Sequence, residues 1–467
     1  MLQCLSIHAL AGIILCAAWC AHAESAWHHD LDVRLDPAQE HLTVEDTLLA
    51  PPAFKGHSLC WSLNAQLAIQ HSEPRSMAAK PLGGDAMRYC TELAVDGERF
   101  SVRYAGVLPK PRDAPTESVR ALVAPDWVYL DPNGGWYPHH ADELASVRLA
   151  VHLPAGWRAV TQGVRLQRTE TADGVLEVWE ERQAQEGLYL IAAPFHEYQG
   201  AAVPAQALVF LRADDEALAR RYLDATQRYL DFYGRLLGPY AYGKFALVEN
   251  NWDSGFGMPS FTLLGPRVIR LPFLLESSYP HEILHNWWGN GVYVNDQSGN
   301  WSEGLTSYLA DYLIAEQQGR GTEYRRNTLQ RYLNYVGAAR DFPLAEFRAR
   351  HSEASQSVGY DKGLMFFHML RRRLGDAVFV EGLRRFYHDQ RGQRAGFDDL
   401  RLAWESTGNQ NLQSDFAAWL TQPGAPALRL RDVQARPDGQ GYRLSATFGA
   451  ASRRTGLSSG CTCSRCR

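Results

Sequence analysis

The segment that most clearly indicates a chemical function is His281-Glu282-Ile-Leu-His285. On an α-helix, residues four apart lie one turn apart on the same face, so the two imidazoles can bind the same metal ion. Glu282 lies beside that face, where a carboxylate can deprotonate a water molecule and later pass the proton to a leaving amine. Taken alone, the five residues are also compatible with solvated side chains on an ordinary helix.

The residues around this motif favour metal binding. Ile283, Leu284, Trp287 and Trp288 are apolar and indicate a largely buried helix. Two histidines and a carboxylate in such surroundings would be costly without a metal ion to satisfy them. Pro280 is compatible with the helix because it falls in the first turn.

A third ligand is expected from the next helix, which opens with Trp301-Ser-Glu303-Gly-Leu305. A reversal between the two helices would return Glu303 to the histidines. The alternative is that Glu303 is an acidic residue favoured by the helix dipole. We expect one Zn²⁺ per chain, bound by His281, His285 and Glu303.

The elements that must position these residues fall into several regions. The length of 467 residues exceeds what one hydrophobic core usually supports, and apolar alternation typical of strands extends to about residue 205. Helical spacing begins near residue 214. The predicted fold class is multidomain α+β, with an N-terminal antiparallel β domain at 24–205, a mixed and then helical domain at 206–425, and a short β segment at 426–450. Beyond Leu218–Leu236, helices are expected at 278–289, 302–318, 322–338, 358–374, 375–390, 397–407 and 411–420.

The sequence patterns at the two ends of the chain differ from those of the predicted domains. Residues 9–20 are apolar, and Ala21-His-Ala23 follows them, which predicts a signal peptide at 1–23. We therefore expect a periplasmic or secreted protein without a stable membrane span after cleavage; an uncleaved anchor is the alternative. The two or three strands near the C-terminus cannot bury both faces of a sheet. These strands either pack on the helical domain or precede a C-terminus that is truncated or altered in reading frame. Residues 451–467 are predicted to be a disordered tail.

The net charge and the cysteines limit the classes of partner and ligand that fit this sequence. A formal net charge of −5 provides no basic surface for phosphates, which argues against nucleic acid as a partner and leaves peptides or small molecules. In an oxidising compartment, Cys60 and Cys90 are plausible disulfide partners. The three cysteines of the tail could bind a metal, but a disordered tail is the simpler interpretation.

The segment His281-Glu-Ile-Leu-His-Asn-Trp-Trp-Gly-Asn290, followed by Ser302-Glu-Gly304, resembles the aminopeptidase N family of gluzincin metallopeptidases. The resemblance covers roughly residues 28–428. It extends to four further segments: Gly134-Gly-Trp-Tyr-Pro138, Pro154-Ala-Gly-Trp157, Val358-Gly-Tyr-Asp-Lys-Gly363 and Trp419-Leu-Thr-Gln-Pro-Gly-Ala-Pro426.

This resemblance implies a saddle-like N-terminal domain, a thermolysin-like catalytic domain and zinc-dependent hydrolysis of peptides. It also implies that Tyr360, which matches the family's oxyanion-stabilising tyrosine, donates to the tetrahedral intermediate. From the residues alone, Tyr360 would be one tyrosine among 21 and more typical of a core than of a catalyst.

Two departures from the family pattern matter. Residues 286–302 separate His285 from Glu303, one residue fewer than is usual, which a loop can absorb. Where aminopeptidases carry Gly-x-Met-Glu-Asn, whose glutamate holds the substrate's α-amine, this chain has Gly255-Phe-Gly257-Met258-Pro-Ser260. We still expect Gly255, Gly257 and Met258 to bind the substrate backbone along this edge. The missing glutamate predicts a relaxed need for a free N-terminus.

Three alternatives remain at the level of sequence. Glu249 could supply a substitute carboxylate for the amine, or it could be structural or solvated. The same zinc site could hydrolyse a non-peptide substrate such as an epoxide. The third alternative is a non-catalytic peptide-binding protein in which zinc joins two helices, but the presence of Glu282 weighs against it.

Overall fold

The computed structural model describes residues 27–463 with gaps at 55–56, 76, 84, 94–98, 109–118, 141–143, 254, 337–339, 425–426, 440 and 452–457. The predicted signal peptide therefore lies outside the described residues. The chain divides into two compact units, each of which is discontinuous in sequence. Unit 1 comprises the residues up to Tyr293 with Leu309–Ile314 and Val380–Ala395. Unit 2 comprises Val294–Tyr308, Ala315–Phe379 and the residues from Gly396 onward.

The N-terminal part of unit 1 is built of strands. In the first strand, Leu31 and Val33 are fully buried and alternate with partly or fully exposed polar residues, as expected for a sheet with one face on a core. The strands in chain order are β1 Trp27–Asp36, β2 His41–Leu49, β3 Ser58–Asn64, β4 Leu67–Glu73, β5 Met77–Gly83, β6 Ala86–Glu92, β7 Arg99–Val107, β8 Ala121–Ala124, β9 Trp127–Leu130, β10 Ala145–Leu153, β11 Arg158–Val160, β12 Val164–Thr171, β13 Gly174–Gln185 and β14 Leu190–Ala193.

These strands form three sheets. A seven-stranded sheet has the order β12-β13-β10-β1-β2-β7-β4, a four-stranded sheet the order β11-β14-β9-β8, and a three-stranded sheet the order β3-β6-β5. The prediction of an antiparallel domain holds for most pairs, but β1 and β10 pair in parallel, with Trp27 opposite Ala145. Cys60 and Cys90 face each other across β3 and β6 and form the expected disulfide.

A mixed five-stranded sheet follows in unit 1. Its strands are β15 His196–Gln199, β16 Gln206–Leu211, β17 Lys244–Glu249, β18 Gly255–Met258 and β19 Phe261–Leu264. Their order is β15-β16-β17-β19-β18, so β18 is an edge strand, paired antiparallel with β19. The helix α1, Glu216–Leu237, connects β16 to β17 and begins with Asp215 as its N-cap.

The remaining helices confirm the predicted helical region within a few residues at most ends. They are α2 Ser278–Leu284, α3 Ser302–Ser307, α4 Leu313–Gln317, α5 Gly321–Tyr335, α6 Glu353–Gln356, α7 Gly363–Leu374, α8 Asp376–Gln390, α9 Phe397–Gly408 and α10 Gln413–Leu420. Two π-helical turns, π1 Tyr308–Tyr312 and π2 Ser357–Lys362, lie within what periodicity predicts as regular helices. Two short strands, β20 Tyr293–Val294 and β21 Arg394–Ala395, pair with each other.

The C-terminal strands form a separate three-stranded sheet. They are β22 Ala427–Asp438, β23 Gly441–Ala451 and β24 Ser458–Cys463, paired in that order. The last of them falls within the predicted disordered tail, of which 452–457 and 464–467 lie outside the described residues. Across the described part of the chain, no helix is both long enough and apolar enough to cross a membrane.

Candidate metal centre and active site

The helix α2 presents His281 and Glu282, and His285 follows its last residue. The predicted helix at 278–289 is wrong at its C-terminal end, because the chain turns after Leu284. A side chain at Gly291 would collide with the backbone of Asn286, so glycine permits the chain to fold back there. His285 nevertheless keeps helical dihedral angles, and its N–H donates to the carbonyl of His281 at 3.2 Å. The expected spacing of the two histidines is therefore preserved.

His281, His285 and Glu303 form a cluster of potential metal ligands. Each offers one ligand atom, and these three atoms lie within 4.8 Å of one another. The imidazole rings of the two histidines are 4.9 Å apart, centroid to centroid. All three residues are partly buried. Glu303 lies in the first turn of α3, as the sequence indicates.

The Nδ1 atoms of both histidines contact oxygen acceptors. His281 Nδ1 lies 3.0 Å from Asp311 Oδ2, and His285 Nδ1 lies 3.0 Å from the carbonyl oxygen of Trp288. A carbonyl accepts and cannot donate, so His285 carries its proton on Nδ1; the carboxylate of Asp311 favours the same tautomer for His281. In this tautomer the lone pair that can bind a metal is on Nε2. Such partners are typical of metal-binding histidines.

Asp311 is a residue that the sequence analysis did not identify. It lies in π1, where the wider turn shifts the register of the side chains relative to a regular α-helix. Its side chain is 22% exposed, so the contact with His281 is partly shielded from water. The signal available in the sequence was an acidic residue within the otherwise apolar Tyr308-Leu-Ala-Asp311-Tyr, but regular helical spacing does not predict its direction.

The edge strand β18 passes directly against the carboxylate of Glu282. A Cβ atom on Gly257 would lie 2.7 Å from Glu282 Oε2 and 3.3 Å from His285 Cδ2. At Gly255 the nearest atom would be Leu264 Cδ2 at 3.6 Å, an ordinary contact. Glycine at 257 therefore lets the strand backbone approach Glu282, whereas glycine at 255 is not required by sterics. Met258 is 3% exposed and packs in the core, so its side chain supports the strand from within.

A buried polar network connects β18 to the chain that follows helix α2. Ser260, in the turn after β18, has φ +65°, and its N–H donates to Asn286 Oδ1 at 2.6 Å. Lys244 Nζ donates to the hydroxyl of Ser260 at 2.7 Å and to its carbonyl at 3.2 Å. Burial lowers the pKa of Lys244 to about 7, against the opposing effect of Glu181. Because Asn286 directly follows His285, this network fixes the edge strand relative to His285.

Glu249 is engaged in structural contacts. Its Oε2 accepts from the backbone N–H of Arg212 at 2.8 Å, and its Oε1 accepts from Arg270 Nη1 at 2.8 Å. The residue is 3% exposed. A buried carboxylate that holds an arginine and a backbone amide fits the structural alternative rather than a substitute amine site.

Tyr360 lies in π2 and is partly buried. Its ring meets that of Phe347 edge to face, with centroids 6.2 Å apart. The same phenylalanine fills the space in which Gly359 would place a side chain. The sequence predicts a regular helix at this position, whereas the structure has a π turn. The phenol therefore points in a different direction from the one that the predicted helix would give it.

Comparisons with known proteins bear on the region that holds these residues. The family model described as the peptidase family M1 domain matches residues 275–419, which include α2, α3 and π2. Aminopeptidase N of Escherichia coli K12 is 27% identical over 177 residues, which are 37% of this chain and 20% of that protein. The expected resemblance to the aminopeptidase N family is supported over this region. Mitochondrial aminopeptidase 2 of Saccharomyces cerevisiae is 24% identical to this chain over 228 residues, 45% of the chain and 24% of that protein.

Solved structures share the fold of this chain. The M1 zinc metallopeptidase of Deinococcus radiodurans matches with a TM-score of 0.66 at 18% identity, over 86% of this chain and 94% of that one. A two-domain M1 zinc metallopeptidase bound to L-arginine matches with a TM-score of 0.69 at 18% identity, over 85% and 94%. The multidomain α+β fold class is confirmed. The match to this chain spans 24% and 20% of the length of the two curated relatives named above.

Proposed function

We propose that this chain is a zinc-dependent peptide hydrolase. The observation that carries the proposal is the cluster of His281, His285 and Glu303, in which each histidine has an oxygen acceptor at Nδ1. Glu282 is adjacent in sequence to the first ligand, and the backbone of an edge strand lies against its carboxylate. A structural zinc site has little use for such a base beside the ligands.

The donor set fits zinc. Two imidazoles and one carboxylate from the protein, with the remaining position open, are typical of catalytic rather than structural zinc sites. Asp311 and the carbonyl of Trp288 orient the rings, as second partners commonly do at metal sites. When bound, zinc would supply Lewis-acid polarisation of the scissile carbonyl and lower the pKa of water to near neutrality.

Other residues of the chain supply the proton transfers, the stabilisation of the oxyanion and the binding of the substrate backbone. Glu282 takes a proton from the attacking water and passes it to the departing amine. Tyr360 donates its phenol hydrogen to the oxyanion that develops on the former carbonyl. Gly255 and Gly257 let an extended substrate pair with the free edge of β18, backbone to backbone. These roles for Tyr360 and for the two glycines are supported by the resemblance of the chain to its family.

The proposal is tested by metal dependence. Purified protein is stripped with a chelator and supplied in turn with Zn²⁺ or Mg²⁺, and cleavage of a peptide library is measured by mass spectrometry. We expect cleavage to disappear on chelation and to return with zinc but not with magnesium, because imidazole ligands do not suit magnesium. Cleavage that persists in the chelated protein would refute the assignment.

We further propose that hydrolysis has a relaxed need for a free α-amine. The segment after Gly257 reads Met258-Pro259-Ser260 and lacks the glutamate of the family pattern. Glu249 does not replace it, since its carboxylate is committed to Arg270 and to the Arg212 backbone. An aminoacyl amide and its N-acetylated counterpart should be cleaved with kcat/KM values within about threefold of each other, because a full charge-assisted contact to the amine would discriminate far more strongly. Strict dependence on the free amine would refute this.

A location in the periplasm or outside the cell is also proposed. It is supported by the apolar run at 9–20 with Ala21-His-Ala23 and by the Cys60–Cys90 disulfide, which is characteristic of oxidising compartments. N-terminal sequencing of the protein from a native culture tests it. We expect the first residue to be Glu24, and an intact N-terminus on protein recovered from the cytoplasm would contradict the proposal.

A further inference from the structure

The turn that carries Tyr360 is flanked by two buried charged residues. Asp361 is 5% exposed and Lys362 is 6% exposed, and both belong to π2. Burial alone raises the pKa of Asp361 and lowers that of Lys362, because the charged form of each is penalised. Charges in such positions require partners, and each of the two has its own.

Asp361 is held by Arg331 of α5. Arg331 Nη2 donates to Asp361 Oδ1 at 2.6 Å, and Arg331 Nε lies 3.2 Å from the same oxygen. The hydroxyl of Ser357, at the start of π2, donates to Asp361 Oδ2 at 3.0 Å. The guanidinium thus fixes the carboxylate in direction as well as in distance.

Lys362 is held by a second, separate set of groups. Its Nζ donates to the carbonyl of Gln422 at 3.1 Å and lies 3.6 Å from Asp341 Oδ1. Asp341 is itself anchored, because its Oδ2 accepts from the hydroxyl of Tyr332 at 2.5 Å and from the backbone N–H of Gly424. The lysine is therefore attached to the loop after α5 and to the chain after α10.

Close backbone packing adds a third constraint on the same turn. A Cβ on Gly304 would lie 2.9 Å from Gly363 Cα and 3.0 Å from the carbonyl oxygen of Gly359. Gly304 directly follows Glu303, so the π2 turn packs against the helix that presents the third ligand. A small rotation of π2 would therefore displace the backbone at the start of α3.

Ion pairs on two consecutive residues restrict the rotation of the π2 turn, which a single ion pair does not. Neighbouring residues on a helical turn project in directions roughly 100° apart. A single ion pair leaves the turn free to rotate about that contact, whereas two divergent pairs fix its rotation about the helix axis. The Lys362–Asp341 pair is buried, and Asp361 is buried although its partner Arg331 is 44% exposed. Buried ion pairs contribute little to stability, and their best-attested use is to select one arrangement among several. A π turn, which is rare and can relax to regular helix, benefits from such selection.

We propose that Arg331 and Asp341 are positioning residues for Tyr360: their ion pairs with Asp361 and Lys362 hold the π2 turn so that the phenol keeps the direction needed to donate to the oxyanion. This inference rests on the proposed function. Arg331 and Asp341 act through the turn, and neither is assigned a contact with substrate.

The test is a double-mutant cycle with Arg331→Met and Tyr360→Phe. Arg331→Met removes the guanidinium while keeping most of the stem, and Arg326→Met is the matched control because Arg326 lies exposed on the same helix. In the parent, Arg331→Met should lower kcat about tenfold with little change in KM, since the interaction concerned forms in the transition state. In the Tyr360→Phe background the same change should cost less than about twofold, because the group being positioned is already gone. Equal losses in both backgrounds would overturn the inference.

A second measurement is independent of activity. Hydrogen exchange of the peptide covering 357–363 should accelerate at least about tenfold in Arg331→Met and remain at the parent rate in Arg326→Met, with zinc content unchanged. Unaltered exchange in Arg331→Met overturns the inference whatever the activity. If Arg331→Met does not fold, Arg331→Lys replaces it, because lysine keeps the charge and loses the fork. Absence of hydrolysis by the parent refutes the proposed function instead, and exchange then decides whether the ion pairs hold the turn.

Discussion

The segment that carries His281, Glu282 and His285 and the segment that carries Tyr360 are positioned by different kinds of contact. The first is placed by backbone approach at Gly257 and by one acceptor for each imidazole, the carboxylate of Asp311 and the carbonyl of Trp288. The second is placed by ion pairs on both residues that follow Tyr360. In our proposal a bound metal fixes the first segment further, whereas the direction of the phenol depends on the protein alone. Under the proposed function, we expect substitutions in the first segment to alter the metal and the base, and those in the second to alter the stabilisation of the transition state.

Apart from replacement of the base Glu282, removal of the phenol should have the largest effect among the changes that leave the metal in place. Tyr360→Phe deletes one donor to the oxyanion, and such a loss costs about 10²–10³ in kcat. Steady-state kinetics should show this with KM and zinc content close to those of the parent. Phe347→Leu, which changes the ring packed on Tyr360 and leaves the hydroxyl, serves as the comparison. A parent-like kcat in Tyr360→Phe would remove Tyr360 from the mechanism and break the comparison between the two segments.

The acceptor of His281 should influence the metal rather than the chemistry. Asp311→Asn keeps the size of the side chain but weakens its hold on Nδ1, and losses of a second partner typically reduce metal affinity about 10–100-fold. Titration with a zinc-buffered series should show this shift, and activity should recover at saturating zinc. Loss of activity that saturating zinc does not restore would contradict the assigned role.

The glycines of the edge strand offer a matched pair. Gly257→Ala places a Cβ 2.7 Å from Glu282 Oε2 and should lower kcat/KM about tenfold by displacing the base, a cost in keeping with small misplacements of catalytic groups. Gly255→Ala meets nothing closer than 3.6 Å and should cost less. Kinetics of the two variants side by side decide the matter. Equal losses would mean that substrate pairing, and not the position of Glu282, dominates at this edge.

The smallest expected effect concerns the amine. Pro259→Glu restores a carboxylate after Met258, where the family pattern has one, and should raise the preference for a free aminoacyl amide over its N-acetylated form a few-fold. Pro259→Gln is the uncharged control and should leave the preference unchanged. If both variants behave alike, the altered segment does not determine recognition of the amine.

Much of the candidate metal centre could be predicted from sequence because the spacing of its residues is local. His281 and His285 are related by one helical turn, and Glu303 opens the next helix, so the geometry follows from regular backbone. Apolar periodicity likewise predicted the helical region and the strands of the N-terminal part. Cys60 and Cys90, which were plausible partners from compartment alone, are brought opposite each other by strand register.

The features that sequence did not predict depend on irregular backbone or distant contacts. The turns π1 and π2 change side-chain direction within segments whose apolar spacing is that of ordinary helix. Asp311 was missed for this reason. The early end of α2 at Leu284 follows from the tight reversal at Gly291, and the parallel pairing of β1 with β10 joins strands more than a hundred residues apart. No local pattern specifies either.

The most direct test of the account compares the parent with Glu282→Gln in one measurement of zinc content and peptide cleavage. Glutamine keeps the shape of the side chain and cannot accept the proton, so turnover should fall by about 10²–10⁴-fold or more. Bound zinc should stay at about one ion per chain, because Glu282 is beside the ligands and is not one of them. Glu276→Gln, on an exposed residue shortly before α2, should behave as the parent. Cleavage by Glu282→Gln at the parent rate, or loss of zinc together with activity, would contradict the account.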